Sequence, residues 1–396
     1  MTSFLYFILI FCNLSAFAET LTQEQFLSKV LNSNLDLKIS QGAAEAAKAN
    51  ANGYNIPPPM VGLMQLKQGI ESGTGFEVQQ IIPFPTKLSG DHSARKYEYL
   101  MEEENQLVAG QQAYSQGRFI YFSVWQSQER IAVLNEKRQV LQDHVKFLRS
   151  VARSDSFAKI TLLKTESEVD LLENDIEAAG QIFNEKQIDA ALYINADPAT
   201  FKLKTVEPPL SAIPKIDFSE VSHQVRAAQF QLESLKEKEF EAKSAWLPDF
   251  NLRYKEMNFG NSATKSTELM VGITLPFLFF WEPYALSSQA SKARLTGEYE
   301  FAKKKRIFDS DKILLLGRAT SLHKQIENLN HKLIPRAEQR VKLVHNVAAR
   351  DMETIHDRRE TMEAFPDLKL KSLDLRMEYE QVIANLDKYV THQDAK

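Results

Sequence analysis

The sequence predicts a mainly α fold with a small β part, in which a helix–hairpin–long helix unit is used twice. Three observations predict it. Long charged spans without proline carry heptad seams. Four short segments alternate apolar and polar residues. The second half repeats the first in order and spacing.

The chain opens on MTSFLYFILIFCNLSAFA, residues 1–18, which carry no charge. An apolar stretch leading to Ala16-Phe17-Ala18 reads as a secretory signal peptide cleaved before Glu19. A membrane anchor is disfavoured because the span is too short to cross. Leu9-Ile10-Phe11-Cys12 falls short of a lipid-attachment box, because Phe11 stands where a small residue is needed. Cys12 is the one cysteine, so residues 19–396 have no thiol for a disulfide or a thiolate zinc site. Charged residues make up 25% of the chain and nearly cancel, to a formal −4, so no nucleic-acid partner is expected. No later segment reaches the roughly 18 apolar residues of a membrane helix. A membrane form of this protein therefore has to be a closed β-barrel.

Interior proline removes a helix hydrogen bond and clashes with the preceding turn, so proline-free spans propose helices. One runs from Thr86 to about Val151, with Ile131, Leu134, Leu141, Val145 and Leu148 at heptad spacing. In the next, Leu162, Thr165, Val169, Leu172, Ile176, Ala179 and Phe183 alternate steps of three and four. Leu322, Ile326, Leu329 and Leu333 mark another helix, and Leu368, Leu375, Val382 and Tyr389 mark the last. Narrow seams of this kind bury one stripe against a neighbouring helix, as in coiled coils.

EVQQIIPF (77–84) aligns with MVGITLPF (270–277) at an offset of 193, and LSGDHSARK (88–96) aligns with LSSQASKAR (286–294). The expected organisation follows: signal peptide 1–18, first repeat 19–194, proline-rich connector 195–216 and second repeat 217–396. Each repeat carries two candidate strands, about 58–67 and 76–84, then about 249–258 and 267–276. Phe250, Leu252 and Tyr254 alternate with Asn251, Arg253 and Lys255, and Leu269, Val271, Ile273 and Leu275 alternate with Met270, Gly272 and Thr274. Strands of nine or ten residues have the length that crosses an outer membrane. After Pro276 come Phe277, Phe279, Phe280 and Trp281, the residue types that collect at a bilayer–water boundary. Four strands cannot close a barrel, and an open edge is not viable in lipid. Three copies supply twelve strands, an even number within the outer-membrane range.

With the signal peptide, the repeat, LPDFNLRY (247–254) and VGITLPFLFF (271–280) before a long helix, the chain resembles the TolC family of outer membrane efflux proteins. Within that family it looks most like the heavy-metal and multidrug efflux branch. The resemblance covers nearly all of residues 20–390. It implies a homotrimer with a twelve-stranded outer-membrane β-barrel, continued by a long α-helical coiled-coil barrel into the periplasm. It also implies docking to a periplasmic adaptor protein and an inner-membrane pump, with a periplasmic end that opens by movement of the helical hairpins. Two departures stand out. Neither hairpin tip carries the family's glycine, the first reading VARSDSFAKI (151–160). The second hairpin has about ten extra residues within HDRRETMEAFPD (356–367).

The expected function is a passive conduit for metal ions, drugs or other export substrates; the alternative is a soluble periplasmic coiled-coil scaffold. No enzyme, cofactor or metal is expected, for there is no phosphate loop, nucleophile motif or i, i+4 histidine pair, and the histidines read as surface residues. Asn251, Arg253, Lys255 and Thr274 are the pore-lining candidates, because they alternate with the apolar face. For Arg253 and Lys255 a place in a rim, with the side chains reaching to water, is the other reading. At the tips, Arg153, Asp155, Arg350 and Asp351 are either gate residues joined by cross-helix ion pairs or exposed charges at helix ends.

Overall fold

The computed structural model describes residues 19–68, 71–151, 156–215, 221–259, 265–345 and 352–389. In chain order its elements are β1 (Glu19–Leu21), α1 (Gln23–Ser33), α2 (Leu35–Ala51), β2 (Met60–Gln68), β3 (Glu71–Ile82), α3 (Pro85–Val151) and α4 (Ser156–Tyr193). After these come β4 (Leu203–Thr205), α5 (His223–Lys243), β5 (Phe250–Phe259), β6 (Lys265–Ile273), α6 (Trp281–Asn328), α7 (Ile334–His345) and α8 (Met352–Leu386). A π turn, Leu329–Leu333, joins α6 to α7. The segment read as a signal peptide lies outside the described residues. Two compact units form, each drawing on both halves of the sequence. Among the described residues, one draws on 19–38, 110–215 and 311–389 and the other on 39–109 and 221–310.

In the first unit the heptad seams become the core. Leu134 and Leu141 of α3 bury against Leu172 and Ala179 of α4, with Ile131, Val169 and Ile176 packed at the edge. Ala319, Leu322 and Ile326 of α6 do the same against Tyr379, Val382, Ile383 and Leu386 of α8. Each fully buried Leu or Ile contributes about 1.5–3 kcal/mol, and packing of this kind rather than propensity holds long helices.

The parallel pair β1·β4 is absent from the sequence reading, since three residues are too few to show a period. Side chains complete its hydrogen bonding. Gln187 accepts from Leu203 N–H at 2.7 Å and donates to Leu203 O at 2.6 Å, standing in for a third strand. The buried Tyr121 hydroxyl donates to Leu21 O at 2.8 Å and accepts from Val206 N–H at 2.9 Å. The connector is strapped down further on: Ser211 donates to Glu380 from both its N–H and its hydroxyl, and Tyr379 donates to Ser211 O at 2.5 Å. Arg376 bonds Glu207 at 2.8 Å and lies over the Trp125 ring, 4.5 Å from its centre.

Proline as a helix breaker misleads in the second hairpin. Pro335 lies one residue into α7, and the π turn before it adapts the backbone: Ile334 N–H donates to Leu329 O, a wider loop than the α-helical one. Pro366 lies inside α8, and HDRRETMEAFPD, read as tip insertion, is part of that helix. Tertiary contacts flank it and keep the helix continuous. Asp367 pairs with Lys137 at 2.7 Å and Lys369 with Glu136 at 2.7 Å, both on α3, and Lys369 also sits over the Phe365 ring. Asn330 accepts from Ser372 at 3.0 Å, so the π turn and this part of α8 are neighbours.

The histidine reading also needs correcting. His144 is half-buried beside Arg359, His356 and Glu168. Arg359 itself is largely buried and bonds Glu168, Glu363 and, at 3.3 Å, Thr165.

The second unit holds a four-stranded antiparallel sheet in the order β2-β3-β5-β6. It is open: β2 and β6 are its edges, and it closes no barrel. Its helices are joined by polar contacts. Glu239 of α5 accepts from Ser291 at 2.6 Å and pairs with Lys243 at 2.9 Å and Arg294 at 2.7 Å. The Ser291 and Lys243 hydrogen bonds hold its carboxyl below the usual range. His223 bonds Glu104 at 2.6 Å, so this histidine too is partly buried rather than a free surface group.

Candidate functional site

Alternation along a strand sends successive side chains to opposite faces, and the register then decides which residues share a face. Here Arg253 stands opposite Gln79 on β3 and Met270 on β6, Lys255 opposite Glu77 and Glu268, and Asn251 opposite Ile81 and Gly272. β2 adds Met60, Gly62 and Met64. This face is polar and carries two cross-strand ion pairs, Arg253–Glu77 at 3.5 Å and Lys255–Glu268 at 3.9 Å.

The other face is an apolar band. Ile82, Phe250 and Ile273 lie at one end, then Leu252 and Val271, then Val61, Val78, Tyr254 and Leu269, then Leu63 and Phe76. In that last row the face already turns polar at Glu256 and Thr267, and Gln65, Thr74, Asn258 and Lys265 follow toward the hairpin loops. Glu256 pairs with Lys265 at 3.1 Å. Gln80, in the row of Leu252 and Val271, donates its amide to Pro57 O at 2.7 Å and Ile81 O at 2.9 Å.

Exposure runs opposite to that of a water-soluble sheet. Val61 is 70% exposed, Leu63 92%, Leu269 73% and Val271 66%, whereas Asn251, Arg253 and Lys255 are only partly exposed. On β5 the apolar residues are exposed and the basic ones half-buried, while on the edge strands Met60, Glu268 and Met270 of the polar face are exposed as well.

The sheet's helix-side end is tied by one carboxylate. Asp249 accepts from Phe84 N–H at 2.9 Å and from the Lys87 ammonium at 2.8 Å. Its own N–H donates to the Thr274 hydroxyl at 2.7 Å, and Thr274 N–H donates back to Asp249 O at 2.9 Å. Thr274 thus sits one residue past β6, in this knot. The aromatic run does not extend the strand: Pro276–Phe279 form a 3-10 turn leading into α6. Phe277, Phe279, Phe280 and Trp281 are all exposed, and Trp281 meets Phe279 and Phe280 edge-on at 5.5 Å.

At Gly75 the strands approach too closely for a side chain, since a Cβ there would lie 2.0 Å from Glu256 O. The tip candidates Arg153, Asp155, Arg350 and Asp351 lie outside the described residues. Glu77 and Glu268 were missed as partners of the basic pair, because a single sequence shows alternation but not register. Among the described residues, no group of three or more His, Cys, Asp or Glu is placed to hold a metal ion, and no helix is long and apolar enough to cross a membrane.

No protein-family model and no curated protein sequence matches the chain. Solved structures do. The Campylobacter jejuni CmeC outer membrane channel superposes with a TM-score of 0.78 at 13% identity, over 94% of this chain and 87% of that one. The open state of the Neisseria gonorrhoeae MtrE outer membrane channel gives 0.73 at 14%, over 93% and 88%. CusC, described for its folding and transmembrane channel formation, gives 0.72 at 15%, over 92% and 90%. With its mostly helical chain and small open four-stranded sheet, this protein has the TolC-like fold of those outer membrane channels.

Proposed function

We propose that this protein is the outer membrane component of a tripartite efflux or secretion system, a passive homotrimeric conduit running from the periplasm to the exterior. The inside-out sheet carries this reading. A face of Val, Leu, Ile and Phe left outward costs free energy in water and gains it against lipid. The polar face, with its paired charges, suits a water-filled lumen. Sheet edges at β2 and β6 need partners, because unpaired backbone groups are too costly in hydrocarbon. Equivalent edges of two further copies supply them and give the twelve-stranded barrel.

The helices support the same assembly. On α4, Ala158, Thr165, Leu172, Ala179 and Ala190 are buried, while Ile160, Leu163, Leu171, Ile182, Ile188 and Leu192 are exposed. At about 100° per residue these form two separate stripes, the exposed one covering about a third of the circumference. A helix in a closed ring of helices has two neighbours and needs two such stripes; the second suits a sister subunit. Asn251, Arg253 and Lys255 then line the pore, with Thr274 at its helix-side rim. In this reading the two sequence halves are duplicated repeats, the helical part reaches into the periplasm, and an adaptor protein and an inner-membrane pump supply the energy. Arg153, Asp155, Arg350 and Asp351 remain candidates for its periplasmic gate.

Fractionation of cells expressing the full chain tests the assignment. Recovery in the outer-membrane fraction, released by detergent as a trimer, is the expected result. A monomer washed off without detergent would overturn it and favour the periplasmic scaffold.

A further inference from the structure

The conduit reading assigns a face to the lumen but leaves open what that face prefers to pass. Between the aromatic end and the hairpin loops, the polar face spans positions 60–64 on β2, 75–81 on β3, 251–257 on β5 and 266–272 on β6. Its charged residues are Glu77, Arg253, Lys255 and Glu268. Both cations lie on β5 and both acids lie on the strands flanking it. Lys255 has an acid directly opposite on each side, and Arg253 reaches diagonally to Glu77. The other positions of this face are Met, Gly, Ser, Ile, Asn or Gln.

This arrangement differs from a ring of one sign, which sets selectivity in charged pores. Ion-pair separations of 3.5 and 3.9 Å are well below the screening length of about 8 Å at physiological salt. Each charge is therefore compensated by the protein before mobile ions can respond to it. A passing solute meets short dipoles across the strands rather than a net field. Repetition by symmetry multiplies the pairs and leaves the sum at zero.

We propose that Glu77 and Glu268 are selectivity-setting residues. By cancelling Arg253 and Lys255 they make the barrel lumen indifferent to the sign of its cargo, so that it takes cationic, anionic and neutral solutes alike. The proposal rests on the conduit reading above.

The test uses the full chain reconstituted in planar bilayers under a KCl gradient, reading the K⁺/Cl⁻ permeability ratio relative to the unsubstituted protein. That reference removes any contribution from charges elsewhere. Glu77→Gln with Glu268→Gln should shift the ratio toward Cl⁻ by roughly twofold or more, and Arg253→Gln with Lys255→Gln should shift it toward K⁺ by a similar factor. Lys255→Gln alone, which breaks the longer pair, should give a smaller shift of the second kind and guards against loss of the double variants. Ratios that stay put in the assembled variants overturn the proposal and leave the conduit intact. If the unsubstituted protein conducts but no ladder variant assembles, the charges are structural and the proposal fails. Absence of conductance from the unsubstituted protein removes the conduit reading and the proposal together.

Discussion

Val271→Arg probes the face assignment most directly. Val271 is in the middle of the apolar band, between Leu269 and Ile273 on β6 and opposite Leu252 on β5. It is 66% exposed in the single chain. If that face meets lipid, the guanidinium goes to mid-bilayer, which costs about 2–4 kcal/mol per chain. At about 1.4 kcal/mol per tenfold, the inserted form should fall by roughly thirtyfold to a thousandfold for each chain. Met270→Arg is the matched control, one residue away on the opposite face and beside Arg253 in the register. There the new cation remains in water, and Glu268 is two residues along the strand. Thr274 would be a poor control, because its hydroxyl holds Asp249 N–H. The assay is the amount of heat-labile trimer from outer membranes on unheated gels. Val271→Arg should abolish the trimer band and Met270→Arg should preserve it. Equal yields, or loss confined to Met270→Arg, would refute the assignment of faces.

Gly75→Ala should prevent β3 from pairing with β5, since its methyl would meet Glu256 O at 2.0 Å; the trimer band should again report it. Arg359→Leu leaves Glu168 and Glu363 without their shared partner and should lower stability by about 1–3 kcal/mol, read by circular dichroism on heating. Burial first, then the charges of Arg359 and His356, push the His144 pKa down to about 4, below its ordinary 6.5. The unfolded chain thus binds the proton more readily, so stability is full above pH 6.5 and declines as pH falls toward 4. His144→Asn should flatten that part of a melting-temperature profile, by about 1–3 kcal/mol at most. Pro366→Ala restores an N–H able to bond the Met362 carbonyl, and hydrogen exchange there should slow by about tenfold or more.

The sequence shows clearly whatever depends on local period. Helix α3 is expected from Thr86 to about Val151 and is found at Pro85–Val151, because proline marks its start and none interrupts it. The seams through Leu134, Leu141, Leu172 and Ala179 are buried as spaced. All four strands of the sheet fall close to their expected positions, though β3 begins at Glu71, inside the segment read as loop, and β6 ends at Ile273, before the proline. What is hidden depends on long-range pairing. Three-residue strands β1 and β4 make sense only beside each other and Gln187. Glu77 and Glu268 gain meaning only once the register puts them beside Lys255. His144 looks like any surface histidine until α4 and α8 close over it. Pro335 and Pro366 mislead for a related reason, since a π turn in one case and ion pairs to α3 in the other keep the helix going.

Those two prolines bear on mechanics. Stepping six residues from the Asn330–Ser372 contact along each antiparallel helix brings Pro366 level with Arg336, next to Pro335. The helices on either side of the second hairpin therefore lose a rung of their ladders at the same height, while α3 and α4 contain no interior proline. A two-rod strut flexes where both rods are thinnest. Torque applied to this hairpin is expected to strain that joint, where the ion pairs from Asp367 and Lys369 to α3 brace it, before it reaches the seam of Leu322, Ile326, Val382 and Leu386.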